Sequence, residues 1–300
     1  MIYELSFRSN SGAVIPGQLR AIGSTDYIAP RDMALLNHDE ITFLVHGFNV
    51  EEQPGRTSLA SLASSLHAAN GGTYVFVLWP GDSPIGPLSY PLTEGHQAND
   101  TAVELLRIIE SHTAPTTKLN FIAHSLGCRV VLETLRNLSS ATQGKHDHYP
   151  VNQVCLMAAA VDDYCLSMPD AYRAAVEKAR RIVVLSSVED EVLKYIYPLG
   201  DLIQSFIFFW KETFGLALGY HGPKNYASVQ DTFDEDEIQV WPIPGNVQSI
   251  AIDAKINVNH GDYLPSDDAN SEQRKKQKSA EKIAREVISG EDKLQYIISG

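Results

Sequence analysis

Leu119-Asn120-Phe121-Ile122-Ala123-His124-Ser125-Leu126-Gly127 joins two kinds of pattern within nine residues. Leu119–Ala123 is a short apolar run, which reads as a strand buried on both faces. It stops at His124-Ser125. Beyond the serine, Val131, Leu135 and Leu138 recur on one side of a helical wheel, with Arg129, Glu133 and Arg136 on the far side. That is an amphipathic helix laid on a sheet. Strand, sharp turn and helix therefore meet at Ser125. The spacing matches the G-x-S-x-G elbow of nucleophilic serines, with Ala123 at the first glycine. A tight turn needs small neighbours, and alanine partly meets that need. The turn lifts the hydroxyl toward a helix N-terminus, where free N–H groups and the dipole favour negative charge. A buried structural serine is the competing reading, and the clear strand and helix on either side favour a nucleophile.

The same alternation extends outward. Ile41–Val45, Tyr74–Leu78, Val154–Met157 and Ile182–Leu185 are strand candidates, with Ser249–Ile252 weaker. Ser58–Ala69 and His96–His112 read as helices between them. Strand and helix in this order predict a doubly wound, mostly parallel sheet in an α/β fold. Tyr3–Phe7 and Val14–Leu19 flank Ser9-Asn10-Ser11-Gly12 and predict an N-terminal antiparallel hairpin at a sheet edge. The expected organisation is one domain over residues 1–300. Residues 192–223 are read as a helical cap insertion and 265–300 as a polar C-terminal helix or tail. Ile283 and Val287, with Leu294 beyond, would lay that helix against the domain, leaving the basic cluster at Arg274–Lys278 solvated.

Composition narrows the function. The chain has 300 residues, is 44% hydrophobic and carries a net charge of −13. Such a chain can build a large core, and its acidity argues against nucleic acid as a partner. Three cysteines, Cys128, Cys155 and Cys165, have no disulfide or zinc spacing and read as buried reduced thiols. Glu4 and Arg8 interrupt the N-terminal stretch, so no signal peptide is expected and the expected location is cytoplasmic. The apolar stretch Leu199–Gly219 contains Asp201, Lys211 and Glu212, so no integral membrane span is expected. No H-E-x-x-H, C-x-x-C pair or phosphate-binding glycine loop occurs, so neither metal nor cofactor is expected. Nothing in the pattern sets an oligomeric state.

A serine nucleophile needs a base, an acid to orient it, and donors for the oxyanion. His46-Gly47-Phe48-Asn49 follows the strand Ile41–Val45, where a glycine lets the main chain turn an N–H inward. The donors are assigned to the amides of Phe48 and Leu126. Downstream of the serine, His146 and His148 come too early, while His221 and His260 remain. His260, on a glycine-flanked loop after the last strand candidate, is preferred. Asp190, after Ile182–Ser186, is the preferred acid, because Glu189 would point the other way on an extended segment. Asp162 and Asp163 are the rival acids. Candidate walls of a substrate pocket are His46, Asn49, Trp79 and His124, with Phe208, Phe209 and Trp210 from the aromatic segment. That segment is equally readable as a core helix.

HGFN, WPG, HSLG, AAAVDD and NHGDYL occur together across residues 40–265. In this combination the chain resembles bacterial α/β-hydrolase proteins of unknown function, within the esterase and lipase superfamily. The resemblance implies an α/β-hydrolase fold, a Ser125–Asp190–His260 triad and oxyanion donors at Phe48 and Leu126. It implies hydrolysis of a small-molecule ester or lipid through an acyl-enzyme. It supplies no substrate, since this fold hosts many chemistries. The alternatives are a non-catalytic binding module on the same scaffold, or a lyase or peroxidase using the same triad.

Overall fold

The computed structural model describes residues 1–9, 11–48, 50–81, 90–140, 149–196, 216–231, 236–252 and 257–290. The chain begins with the antiparallel pair β1 (Ile2–Arg8) and β2 (Val14–Ala21). Then β3 (Glu40–Val45), α1 (Glu52–Asn70), β4 (Thr73–Leu78), α2 (Tyr90–His112), β5 (Lys118–His124) and α3 (Gly127–Ser140) alternate. They are followed by β6 (Val151–Met157), α4 (Ala174–Lys178), β7 (Arg181–Ser186) and the single turn α5 (Leu218–His221). A separate hairpin, β8 (Tyr226–Asp231) and β9 (Asp236–Trp241), precedes β10 (Val247–Ala251) and the terminal helix α6 (Ser271–Ser289).

The main sheet has eight strands in the order β10-β7-β6-β5-β3-β4-β1-β2, and every pairing is parallel except β1 with β2. It is the α/β-hydrolase arrangement, with the expected N-terminal hairpin at one edge. The strands are apolar on both sides because both faces are covered. Phe43, Val45, Phe121 and Ala123 face α2 and α3, which contribute Ala102, Leu105, Val131 and Leu135. Leu44 and Ile122 face α1 and α6, which contribute Leu59, Leu62, Ile283 and Val287. The period of two along each strand assigns alternate residues to the two layers.

Two charged residues that interrupt apolar patterns turn out to be buried with partners. Glu4, inside β1, is paired with Arg20 at 2.8 Å and Arg56 at 2.7 Å. Burial raises its pKa, but the hydrogen bonds from Arg56 and Arg20 more than offset that and leave it below the ordinary value. Glu133, on the polar stripe of α3, is covered by the segment before α4 and accepts a hydrogen bond from the Tyr172 hydroxyl at 2.8 Å. All three cysteines are buried and unpaired, and burial raises their pKa values.

Most of the expected cap lies outside the described residues, including Phe208, Phe209 and Trp210, as do Asn49 and Leu294. The chain on its far side is firmly docked. Asp162 bridges Ala217, Asp163 N–H donates to the Leu216 carbonyl at 2.8 Å, and Lys224 Nζ lies 2.6 Å from Asp163 Oδ2. Asp163 is therefore committed to anchoring this segment. Gly219 sits so close to the loop after β6 that a Cβ would collide with main-chain atoms of Ala158 and Ala159. Backbone cannot yield as a flexible side chain does. Gly219→Ala is expected to cost about 1–3 kcal/mol, read as a fall in Tm. Gly245→Ala, where a Cβ meets nothing within 4 Å, is the control and should melt as the parent does.

Candidate active site

Parallel register brings the carboxyl ends of the central strands into one row: Val45 pairs with Ala123, His124 with Met157, and Met157 with Leu185. Ligand sites of doubly wound sheets form beyond such ends. Ser125 occupies the first position past β5, with φ of 54°. This left-handed backbone costs a non-glycine residue about 1–2 kcal/mol. It is held by Ser125 N–H donating to the Met157 carbonyl at 2.9 Å and by Cys128 N–H donating to the Ser125 carbonyl at 3.0 Å. The elbow also depends on two glycines. A Cβ on Gly127 would collide with the His46 carbonyl oxygen and lie 2.8 Å from that of Val45. A Cβ on Gly47 would lie 2.7 Å from Ser125 Cβ. The HGFN loop thus passes directly over the serine.

His260 opens a short helical turn, His260–Tyr263, capped by Asn259 and Asp262. Its Nε2 lies 2.8 Å from Ser125 Oγ and its Nδ1 lies 2.8 Å from Asp190 Oδ2. A carboxylate can only accept, so Nδ1 carries the ring proton and Nε2 accepts from the serine hydroxyl. Asp190 is fully buried, and its other oxygen accepts from Leu193 N–H at 2.9 Å. Both carboxylate oxygens are thereby satisfied. Glu189 is exposed, while Asp163 is bound to Lys224. The loops bearing Asp190 and His260 are tied together by Ser187, whose hydroxyl donates to the Val258 carbonyl at 2.7 Å. Leu126 is buried at the start of α3, and its amide makes no hydrogen bond among the described residues. Phe48 is half-buried against the core.

Three residues read from sequence as pocket walls are buried braces in the structure. His46 Nδ1–H donates to the Gly47 carbonyl at 2.8 Å, and its Nε2 accepts from Trp79 N–H at 3.3 Å. Trp79 returns a bond from its indole N–H to the His46 carbonyl at 2.8 Å, with the rings stacked 5.8 Å apart. His124 is buried and donates from Nε2–H to the main-chain carbonyl of His260 at 2.8 Å. The physical reason is that polar rings beside a main-chain turn satisfy buried carbonyls that water cannot reach. Sequence reading missed Arg8, Ser187 and Asn259. Arg8 Nη1 donates to the carbonyls of Trp79 at 2.9 Å and Val50 at 3.3 Å, tying together the loops after β3 and β4. An arginine at the end of a strand carries no local signal of that reach.

Among the described residues no three His, Cys, Asp or Glu side chains are grouped to hold a metal ion, and no helix is long and apolar enough to cross a membrane. A polar cleft of about 550 Å³ opens at the opposite ends of the strands, lined by Glu40, Tyr74, Lys118, Gln153 and Arg180, well separated in the fold from Ser125.

Burial, the adjacent His260 ring and His46 push the His124 pKa down to about 3, although the bond to the His260 carbonyl acts the other way. In the unfolded chain the same ring takes up its proton near 6.5. Between these values the unfolded state binds more protons. The stability is therefore complete above about pH 6.5 and is lost as pH falls toward 3. The unfolding free energy should fall between pH 7 and pH 4 by an amount that is smaller in His124→Gln, by on the order of 3 kcal/mol, as read from denaturant titrations. Equal acid sensitivity would show that this ring does not stay neutral on folding.

The sequence profile of a family described as alpha/beta hydrolase of unknown function (DUF900) matches residues 29–200. No curated protein matches the chain. Among solved structures, a putative hydrolase from Agrobacterium vitis S4 is similar at 10% identity and a TM-score of 0.44, over 91% of this chain and 92% of that one. A thermophilic esterase from the Planctomycetes species Thermogutta terrifontis is similar at 10% identity and a TM-score of 0.40, over 84% and 82%. The phospholipase PlaB from Legionella pneumophila, in complex with thio-NAD, is similar at 13% identity and a TM-score of 0.37, over 84% and 63%. The profile spans more than half of the chain, through the elbow and up to the loop that carries Asp190, and the protein belongs to this family of α/β hydrolases of unknown function.

Proposed function

We propose that the protein is a serine hydrolase that cleaves a carboxylic ester of a small molecule or lipid through an acyl-enzyme. The observation that carries this reading is the continuous relay from Asp190 through His260 to Ser125, with both links at 2.8 Å. In the first half-reaction Ser125 Oγ attacks the ester carbonyl and its proton passes to His260 Nε2. Asp190 holds the tautomer and stabilises the imidazolium. The oxyanion is received by the amides of Leu126 and Phe48. His260 then returns the proton to the leaving alcohol as the C–O bond breaks. In the second half-reaction water is deprotonated by the same nitrogen and attacks the acyl-enzyme. This yields the carboxylic acid and restores Ser125. Acyl-chain preference is assigned to Phe208, Phe209 and Trp210, on their sequence position between Asp190 and His260.

Ser125 is expected to be the serine labelled by a fluorophosphonate probe. Ser125→Ala should abolish labelling and lower kcat by about 10⁶ where the three groups act as a unit. Undiminished labelling of Ser125→Ala would remove the proposal, and an unlabelled parent would favour a binding module.

Asp190→Asn should fold as the parent does and lose roughly 10⁴ in kcat, because the imidazole loses its orienting charge. Asp163→Asn should instead lower Tm through loss of the Lys224 pair. A set of p-nitrophenyl esters of increasing acyl length reads both effects. The reverse outcome, an inactive Asp163→Asn and an active Asp190→Asn, would overturn the assignment of the acid.

A further inference from the structure

The relay explains what His260 does but not what holds its ring on Ser125. Asp190 holds the ring at Nδ1, which leaves the placing of the His260 main chain to other contacts. From the elbow side, His124 reaches the main chain of the turn that carries His260. This ring sits one residue before the nucleophile. Its Nε2–H donates to the main-chain carbonyl of His260 at 2.8 Å, and the two imidazoles lie 4.9 Å apart, tilted by 48°. It also packs against Tyr263 of the same turn, with ring centres 5.9 Å apart. Its Nδ1 is buried without a partner among the described residues, at a point 3.1 Å from where a Cβ on Gly47 would lie. A single ring therefore spans the HGFN loop, the elbow and the turn that bears His260.

We propose that His124 is a positioning residue: by gripping the His260 main chain it sets the separation of His260 Nε2 from Ser125 Oγ. The proposal rests on His260 acting as the base. Donation to a carbonyl fixes the Nε2–H tautomer, so the ring presents no proton on its Gly47 side, where a second donor would compete with the oxyanion amides. The ring also stays uncharged at working pH, since burial holds its pKa near 3. A cation at this place would repel the imidazolium that forms on His260. A side chain whose only task was to fill space needs no buried nitrogen, and burying one without a partner costs stability.

The test compares His124→Phe, which keeps a ring and loses the donor, with His124→Gln, whose amide N–H can reach the same carbonyl. With a medium-chain p-nitrophenyl ester, His124→Phe should lower kcat about 10- to 100-fold, the range expected for misplacing a reacting group by roughly an ångström. KM should stay within about twofold of the parent, and His124→Gln should recover most of the lost kcat. Proton and ¹⁵N spectra of the His260 ring read its position without turnover. The Nδ1–H resonance of the bond to Asp190 should survive in His124→Gln and broaden or vanish in His124→Phe. Equal kcat losses in the two variants, tracking their Tm values, would reduce His124 to packing and overturn the proposal. So would an Nδ1–H signal unchanged in all three proteins. If the parent neither turns over ester nor takes the fluorophosphonate probe, the hydrolase reading falls. The ring spectra would still decide whether His124 positions His260.

Discussion

Two segments of main chain, the turn after β3 and the elbow after β5, approach each other more closely than any side chain would allow. Gly127 lies against the carbonyls of Val45 and His46, and Gly47 lies against the serine itself. Everything at the site follows from this contact. It sets Gly47 against Ser125, whose backbone is left-handed, and places Leu126 at the start of α3. The strain at Ser125 is small beside the hydrogen bonds and packing that surround it, so the fold can hold it without distortion.

The second constraint is electrostatic. Asp190 is fully buried, and an isolated carboxylate in that position would be costly. It is tolerated because each oxygen has a donor, Leu193 N–H on one side and His260 Nδ1–H on the other. The need to satisfy a buried carboxylate thus orients the imidazole, leaving Nε2 to face the serine. The surrounding loops are stitched by bonds to main-chain carbonyls, from Ser187 to Val258, Arg8 to Trp79 and Val50, and His124 to His260. These donors come from distant parts of the sequence.

The aromatic segment between Asp190 and His260 is flanked by anchors on both sides. Before it stands the turn that Asp190 caps through Leu193, and after it the chain is pinned by Asp163, Lys224 and Gly219. The acidic pair after β6 thus has a structural task. The sheet order places β7, not β6, where its loop reaches the turn that carries His260.

Some of this was legible along the chain itself. The strands were written in local apolar runs, and the elbow at Ser125 in a five-residue pattern with small neighbours, because both depend only on contacts among near residues. Asp190 and His260 stand 70 residues apart and His260 stands 135 from Ser125, so sequence offered their order but not their meeting. The bonds by which His46, Trp79 and His124 satisfy main-chain carbonyls were invisible for the same reason. Whether a polar ring faces a ligand or a buried carbonyl is decided by which strands lie side by side. Nothing in the local pattern marked Glu133 or Glu4 as buried, yet Tyr172, Arg20 and Arg56 reach them across the fold. The chain determined its elements and the sharp turn at Ser125 through local chemistry. The partners of each buried polar group were fixed only when the sheet assembled, because hydrogen bonds to distant carbonyls and carboxylates leave no periodic trace in sequence.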